Sequence, residues 1–406
     1  ETPAARSVWL DETTAGLLGP SFVVRATASG LDLEGERATD MVVRTLLGKP
    51  TPCVGRDREL AFLDATLAEC ESDDVARAVI VTAPAGVGKS RLRYEWLRRL
   101  AERGVEVWSA RADPMTAGAP FSLAGQLVRR AAGLDASEPS AAARTRLRAR
   151  ISRHVRKDDD VLRIAEFLGE IVGARFDDEG RVQLRAARQD PLLMGDQIRR
   201  AFEDWVGAEA SAAPLVVVIE DLHWGDLPTV QLVDWALGAH ASLPLLVLAL
   251  ARPEMNESFP NLWSARKPID LPLGELSPKA GARLARHVLG PGAPTDMIER
   301  IVARAAGNAF FLEEILRAVA ESRDAGAEQS GDVDVPETVL AMVERRLDAL
   351  APDARRVLRA ASVFGETFWR SAVLAHVGAA SNPISRPEDW LRDLVARELV
   401  TQRATS

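Results

Sequence analysis

Short apolar runs alternate with helix-spaced apolar positions over much of the chain. Helices are predicted over Glu59–Glu69, where leucines recur on one face, and over roughly Ser90–Arg103, which Gly104 ends. The apolar runs are too short for helices and are typical of buried strands. They are Ala78–Thr82, Val105–Ala110, Leu215–Ile219, Leu245–Leu250 and Ile269–Leu273. This order predicts an α/β protein with a parallel sheet and helices on both of its faces.

The two ends of the chain follow other patterns. Ser7–Leu10 predicts a strand, Asp11–Leu18 a short helix, and Phe22–Ala26 with Gly30–Leu33 a hairpin. Residues 1–52 are therefore expected to be a small α+β piece that cannot make a core alone. After residue 277 the pattern is entirely helical. It predicts helices at Pro278–Leu289, Thr295–Ala305 and Phe310–Ser322, a polar linker at Ala325–Asp334 and a compact helical set that Val335 and Pro336 open.

Composition narrows the class of protein. The 406 residues carry a formal net charge of −8, so the whole chain has no general attraction for nucleic-acid phosphates or anionic lipid. Cys53 and Cys70 cannot form a disulfide framework and show no zinc-binding spacing with the histidines. The longest apolar stretch, Leu243–Ala251, is too short to cross a bilayer. We therefore expect a cytoplasmic protein with reduced thiols, and a helical pattern that runs to Ser406 indicates a piece of a longer polypeptide.

The segment Ala83–Ser90, which reads APAGVGKS, lies between a predicted strand and a predicted helix. Its glycines let backbone N–H groups surround phosphate oxygens, and the helix N-terminus adds partial positive charge. Lys89 can reach the β- and γ-phosphates, and the hydroxyl of Ser90 can bind Mg²⁺. The usual motif begins with Gly, where this chain has Ala83. The residues predicted to bind nucleotide here are Ala85, Gly86, Val87, Gly88, Lys89, Ser90 and Arg91.

Two carboxylates, Glu220 and Asp221, end the apolar run that begins at Leu215. A phosphate-loop enzyme needs a carboxylate that holds Mg²⁺ and a second one that polarises the attacking water. Both residues are therefore predicted to be catalytic. Glu220 is placed with Ser90 on the metal side, but which carboxylate activates water stays open on the residues alone.

Further candidates surround this pair. Arg252 follows the next apolar run, where an arginine can bind the γ-phosphate and report its loss. His223 could serve the same purpose, although a packing role with Trp224 is the favoured interpretation. Gly55 could let the backbone approach an adenine edge with Val54 against the ring, a weak signal that a plain helix start would explain equally well.

Taken together, CVGRDREL, APAGVGKSRL, LVVVIEDLHWGD, LALARP and GNAFFLEEI resemble the STAND class of signal-transduction P-loop ATPases. The resemblance covers about residues 53–400. It implies ATP and Mg²⁺ as cofactors and a switch driven by ATP exchange and hydrolysis. It also implies a P-loop ATPase domain at 53–276, a helical lid at 277–332 and a winged helix at 333–406.

Carried over by position, the resemblance assigns Val54 and Gly55 to the adenine side and Arg252 to the sensor. Gly307, Asn308 and Ala309 fall on a lid motif that usually ends in Pro, so the ring contact expected from that position is in doubt. Together with Ala83 and the Glu-then-Asp order, this makes three departures from the family. They argue against fast turnover more than against nucleotide binding.

Residues 1–52 resemble the last strand, helix and hairpin of a class III nucleotide cyclase domain, without its catalytic carboxylates. The junction into residue 53 is similar to bacterial fusions of serine/threonine kinases, nucleotide cyclases and ATPases. The expected partners are therefore nucleotide, kinase or cyclase domains upstream, and repeats downstream in the same chain. A nucleotide-dependent oligomer is compatible with this arrangement.

Two other functions compete with the switch. A DNA-linked ATPase of the replication-initiator type also ends in a winged helix. The net charge and the acidic residues of the terminal domain oppose this function. A scaffold that holds nucleotide without turnover is the third candidate, and ATP hydrolysis by the purified fragment would separate it from the switch.

Overall fold

The computed structural model describes residues 8–10, 22–27, 30–36, 45–46, 49–115, 117–134, 139–324, 347, 350–365, 368–378, 386–397 and 399–400. Near the N-terminus, β1 (Val8–Leu10), β2 (Phe22–Thr27) and β3 (Gly30–Glu36) form an antiparallel sheet in the order β1-β3-β2. The predicted first strand and hairpin are thus confirmed. The helix predicted over Asp11–Leu18 lies outside the described residues. Two short strands, β4 (Thr45–Leu46) and β5 (Lys49–Pro50), pair antiparallel before the main domain.

The main sheet contains five parallel strands in the order β10-β6-β9-β8-β7. Each predicted strand is confirmed to within a residue or two. The observed bounds are β6 (Arg77–Thr82), β7 (Glu106–Arg111), β8 (Leu215–Glu220), β9 (Leu245–Ala251) and β10 (Ile269–Pro272). Strand β9 lies between β6 and β8, so the segments that follow these three strands lie side by side at one edge of the sheet.

Helices cover both faces of this sheet because its strands bury alternate residues on opposite sides. Val216 and Val218 pack with α1 (Asp57–Asp73) and α2 (Lys89–Glu102). Val217 and Ile219 face the other layer. That layer contains α3 (Ser122–Ala132), α4 (Ser140–Ser152), α5 (Asp158–Val172), α6 (Val182–Gln189), α7 (Pro191–Ala212) and α8 (Leu227–Ala239). The α/β P-loop fold predicted from the sequence is thereby confirmed.

The remaining described helices form two further cores. After the single-turn α9 (Met255–Ser258), one core is built from α10 (Pro278–Leu289), α11 (Thr295–Ala305) and α12 (Ala309–Asp324), as predicted, and includes Val54. The other is built from α13 (Pro352–Ser362), α14 (Arg370–Gly378) and α15 (Pro387–Ala396). The linker at 325–334 and the first helix of this last set lie outside the described residues, so the winged helix stays a prediction. No helix in the described ranges is both long and apolar enough to cross a membrane.

Candidate functional site

A cleft of about 500 Å³ lies at the carboxyl ends of the main-sheet strands. The phosphate loop forms its floor, the segments after β7, β8 and β9 form one end, and α10 and α12 close the other. Most of the predicted site residues meet in this cleft: Val54, Ala85, Gly86, Val87, Gly88, Lys89, Ser90, Arg91, Asp221 and Arg252 all line it. Gly55 and Glu220 are not among its lining residues.

The phosphate loop connects β6 directly to α2, which begins at Lys89. Gly86 and Gly88 have φ of 80° and 108°, a region that only glycine adopts without strain, so the sequence meets a backbone requirement here. The side chain of Val87 is buried in the core, which leaves its backbone N–H for a ligand. The N–H of Ala83 donates to the carbonyl of Ala251 (3.2 Å) and fastens the start of the loop to β9.

The ammonium of Lys89 lies inside its own loop. Its Nζ donates to the carbonyls of Ala83 (2.6 Å) and Pro84 (3.0 Å). Burial lowers the pKa of Lys89, and Asp221 opposes that shift. The ammonium therefore bonds only to neutral carbonyl oxygens in the loop. Phosphate oxygens would form stronger, charge-assisted hydrogen bonds with it and can replace these carbonyls.

The two acidic residues have different surroundings. Asp221 lines the cleft in a left-handed conformation (φ 51°), and its Oδ2 accepts from Nε of Arg111 at 3.0 Å. Glu220 ends β8, where its Oε1 lies 2.7 Å from Nη1 of Arg93 on α2. Burial raises the pKa of Glu220, and Arg93 and Arg111 counteract the shift. The carboxylate that faces the cleft is thus Asp221.

Arg252 follows β9, as predicted, and its Cζ lies 5.1 Å from the ring centroid of Trp224. Its backbone N–H points toward Nδ1 of His223 (3.4 Å), so Nε2 carries the proton of a neutral ring. His223 packs against Trp224 with ring centroids 4.3 Å apart, which agrees with the favoured packing role. Burial lowers the pKa of His223, and Nε2 has no hydrogen-bond partner among the described residues.

The far end of the cleft is less polar. Val54 is buried against α10, and a Cβ on Gly55 (φ 68°) would lie 2.7 Å from that of Ala280, so the close approach at Gly55 is to the protein itself.

Arg91 donates through Nη2 to the carbonyl of Thr51, while its Nε and Nη1 are buried without a partner among the described residues. Cys53 also lines this end, and burial raises the pKa of its thiol.

The segment that begins at Gly307, predicted to be a lid motif, contacts the phosphate loop directly. The N–H of Phe310 donates to the carbonyl of Gly86 (3.0 Å), and Nδ2 of Asn308 lies 3.4 Å from the carbonyl of Ala85. A Cβ on Gly86 would lie 2.5 Å from Oδ1 of Asn308. The same Oδ1 accepts from the N–H of Phe311 (3.0 Å), so Asn308 caps α12 while it touches the loop.

Two structurally important residues had no role in the sequence analysis. Arg56 is buried, and its Nη2 donates to the carbonyls of Val87 and Gly274 (2.8 Å each), which ties the phosphate loop to the segment after β10. Asp226 is buried and accepts from the backbone at the start of both α3 and α8. Only the second contact has a local signal, because Asp is a preferred N-cap residue and a Pro follows it in the first turn of α8.

No group of three or more His, Cys, Asp and Glu side chains within the described ranges could hold a metal ion. A nucleotide-bound Mg²⁺ needs only one or two protein ligands, because phosphates and water supply the rest.

Comparisons with known proteins place this site in context. Over 398 aligned residues, 89% of this chain, the sequence is 26% identical to an uncharacterized protein, R02095, of Rhizobium meliloti (strain 1021). The alignment spans 35% of that relative, about a third of its length.

Among solved structures, the chain is similar to Aeropyrum pernix ORC1 in complex with DNA (TM-score 0.45, 14% identity, 90% of this chain and 89% of that one). It is also similar to Pyrobaculum aerophilum Cdc6p (TM-score 0.41, 12% identity, 91% and 92%). Residues 52–248 match the family model of the AAA ATPase domain, and the chain accordingly contains a nucleotide-binding module of that type.

Proposed function

We propose that the chain is an ATP-binding and slowly hydrolysing switch module of the STAND class, within a cytoplasmic bacterial signalling protein. The observation that carries this proposal is the contact between the lid and the phosphate loop. Phe310 donates to the carbonyl of Gly86 at the loop that would hold the phosphates. Nucleotide bound at this loop would therefore affect the position of the start of α12.

Each end of the cleft has a role in this proposal. Lys89 and the N-terminus of α2 hold the phosphates. Arg252 moves away from the ring of Trp224 and binds the γ-phosphate. Asp221 polarises the attacking water, because it is the carboxylate that lines the cleft. Val54 lies on the side of the base.

Mg²⁺ fits this site chemically. The hydroxyl of Ser90 is exposed at the start of α2, and the oxygens of Asp221 and Glu220 are the hard donors that the ion prefers. Ser90 and Glu220 would hold the ion with the phosphates. The bound ion would supply positive charge for the γ-phosphate.

We also propose that residues 53–276, 277–332 and 333–406 act as ATPase domain, lid and winged helix. Residues 1–52 would then be the end of a cyclase-like domain in a kinase or cyclase fusion. The support for this context is the sequence resemblance and the short antiparallel sheet β1–β3 that precedes the main domain.

The test is Lys89→Ala, with nucleotide binding measured by calorimetry. Lost charge-assisted contacts cost about 1.5–3 kcal/mol each, so the affinity for Mg·ATP should fall at least about a hundredfold while the fold is kept. Lys279→Ala on α10, outside the cleft lining, is the matched control. Unchanged ATP affinity in Lys89→Ala would end the proposal.

A further inference from the structure

The segment of residues 45–54 leads into the main domain and is attached to two different parts of it. It contains the strands β4 and β5, in which Leu46 pairs with Lys49. We propose that this connecting segment responds to nucleotide, so that occupancy of the cleft is transmitted to the part of the chain that precedes it. The inference rests on the proposed nucleotide site.

The last residues of the connecting segment form part of the cleft. Pro52, Cys53 and Val54 line its less polar end. Two residues further on, Nη2 of Arg56 donates to the carbonyl of Val87 in the phosphate loop at 2.8 Å. A nucleotide in the cleft would therefore contact the connecting segment directly, at a point that is fixed to the phosphate loop.

The middle of the connecting segment is attached to α2, the helix that follows the phosphate loop. Thr51 is 4% exposed, and its carbonyl accepts from Nη2 of Arg91. Arg91 also lines the cleft, and its Nε and Nη1 are buried without a partner in the described part of the chain. Because an unmet buried donor is costly, an acceptor on the nucleotide would bond favourably to the guanidinium that holds Thr51.

The beginning of the connecting segment is attached to the helices α10, α11 and α12. Leu46 is 2% exposed and packs in the core that these helices form, which also contains Val54. Burial of a leucine side chain is favourable, so Leu46 holds the strand β4 on this core. The segment thus contacts the α10–α12 core at both Leu46 and Val54, and it contacts α2 between them at Thr51.

The length of the connecting segment limits how far these attachments can separate. Thr51 follows Leu46 by five residues, which span at most about 17 Å when fully extended, and the pairing of β4 with β5 shortens that reach. A shift of the α10–α12 core relative to α2 must therefore change this pairing. Leu284, Asn308 and Lys89 all line the cleft, so a bound nucleotide would contact both bodies and fix their separation.

The experiment measures hydrogen exchange over residues 45–54 by mass spectrometry, with and without saturating Mg·ADP. Calorimetry establishes saturation for each form of the full chain. The parent is compared with Leu46→Ala and with Ile298→Ala. Ile298 is the matched control because it is 1% exposed in the same core but lies on α11, outside the connecting segment and the cleft lining.

In the parent, Mg·ADP should slow the exchange of backbone amides in residues 45–49 by about fivefold or more, a usual size for coupling between two sites. Leu46→Ala should remove this difference, because β4 is no longer held on the α10–α12 core. Ile298→Ala should keep it. Since coupling is reciprocal, Leu46→Ala should lower the affinity for Mg·ADP by no more than the fold-change in exchange measured in the parent.

The inference is overturned if bound Mg·ADP leaves exchange over residues 45–49 unchanged in the parent, or if Leu46→Ala keeps the full difference. A larger loss of affinity in Leu46→Ala, or loss of the difference in Ile298→Ala, also overturns it, because the effect would then come from the core as a whole. If Leu46→Ala does not fold, Leu46→Val should show a reduced difference, and a full one overturns the inference.

Calorimetry on the parent separates this inference from the proposed function. Binding of Mg·ADP without a change in exchange removes only the role of the connecting segment. Absence of binding removes the proposed function and this inference together.

Discussion

Two sets of polar side chains, one at each end of the main sheet, differ in how completely they are hydrogen-bonded. At the amino end, Arg150 bonds through Nη1 and Nη2 to both carboxylate oxygens of Glu209, through Nη2 to Glu106 (3.0 Å), and through Nε to the carbonyl of Ala131 (3.0 Å). Trp205 adds a further donor to Glu209. At the carboxyl end, Arg91, Arg93 and His223 each keep at least one buried N–H without a partner in the described part of the chain.

This difference separates a structural polar network from a binding one. An unmet buried donor costs about 1–3 kcal/mol, so a network that serves the fold alone is expected to be complete. The network around Arg150 and Glu209 meets that expectation. At the carboxyl end, Arg91 lines the cleft, where the oxygens of a bound nucleotide could accept from its donors.

The largest expected effect comes from breaking the complete network. Arg150→Met should lower the free energy of unfolding by about 3–5 kcal/mol, because Glu209 is left as a buried, uncompensated charge. Urea denaturation measures the loss. Arg103→Met, which removes a surface pair with Glu71, should cost at most about 1 kcal/mol. If Arg150→Met is as stable as the parent, the hydrogen bonds around Arg150 make no net contribution to the free energy of unfolding.

A smaller effect is expected at the incomplete end. Arg252→Ala should reduce the preference for ATP over ADP by about 1–3 kcal/mol, since one charged contact to the γ-phosphate is lost. Calorimetry with both nucleotides gives the change, and hydrogen exchange on α10–α12 should no longer differ between them. Arg266→Ala, whose arginine pairs with Asp234 away from the cleft, should keep the parental preference. A retained preference in Arg252→Ala would make Trp224 the permanent partner of Arg252.

The smallest effect concerns pH and the amino-end network. Burial lowers the pKa of His154, whose Nε2 lies 3.9 Å from Glu209, below the ordinary 6.5. Below about pH 6.5 the unfolded chain therefore binds more protons than the folded one at this residue, and stability falls with pH until the folded pKa is passed. His154→Gln should flatten that part of the curve of unfolding free energy against pH. An unchanged slope would mean that a group other than His154 causes this pH dependence.

The sequence predicted those parts of the molecule that local patterns encode. The strands are continuous apolar runs, and the loop Ala83–Ser90 carries its glycines and lysine within eight residues, so both were visible without partners. The bonds of Arg56 to Val87 and Gly274 join residues 31 and 218 positions apart, which no local pattern reports. Arg111 could have been found, because it ends a strand at the edge that holds Glu220 and Asp221.

The roles of the two carboxylates could not be separated from the sequence. Glu220 and Asp221 are adjacent, and only the left-handed backbone at Asp221 and the arginine opposite Glu220 distinguish them. Backbone conformation at a strand end and a partner on another element are both products of tertiary packing. The placement of Glu220 with Ser90 on the metal side stays a prediction.

The hydrogen bond between Phe310 and Gly86 holds the N-terminal end of α12 on the phosphate loop. A tilt of the helix would therefore turn about that end. The helix has 16 residues and is therefore about 24 Å long at 1.5 Å per residue. A rotation of about 10° at the end that touches Gly86 would move the far end by roughly 4 Å over that length. Because α10 and α11 share a core with α12, the three helices would swing as one body.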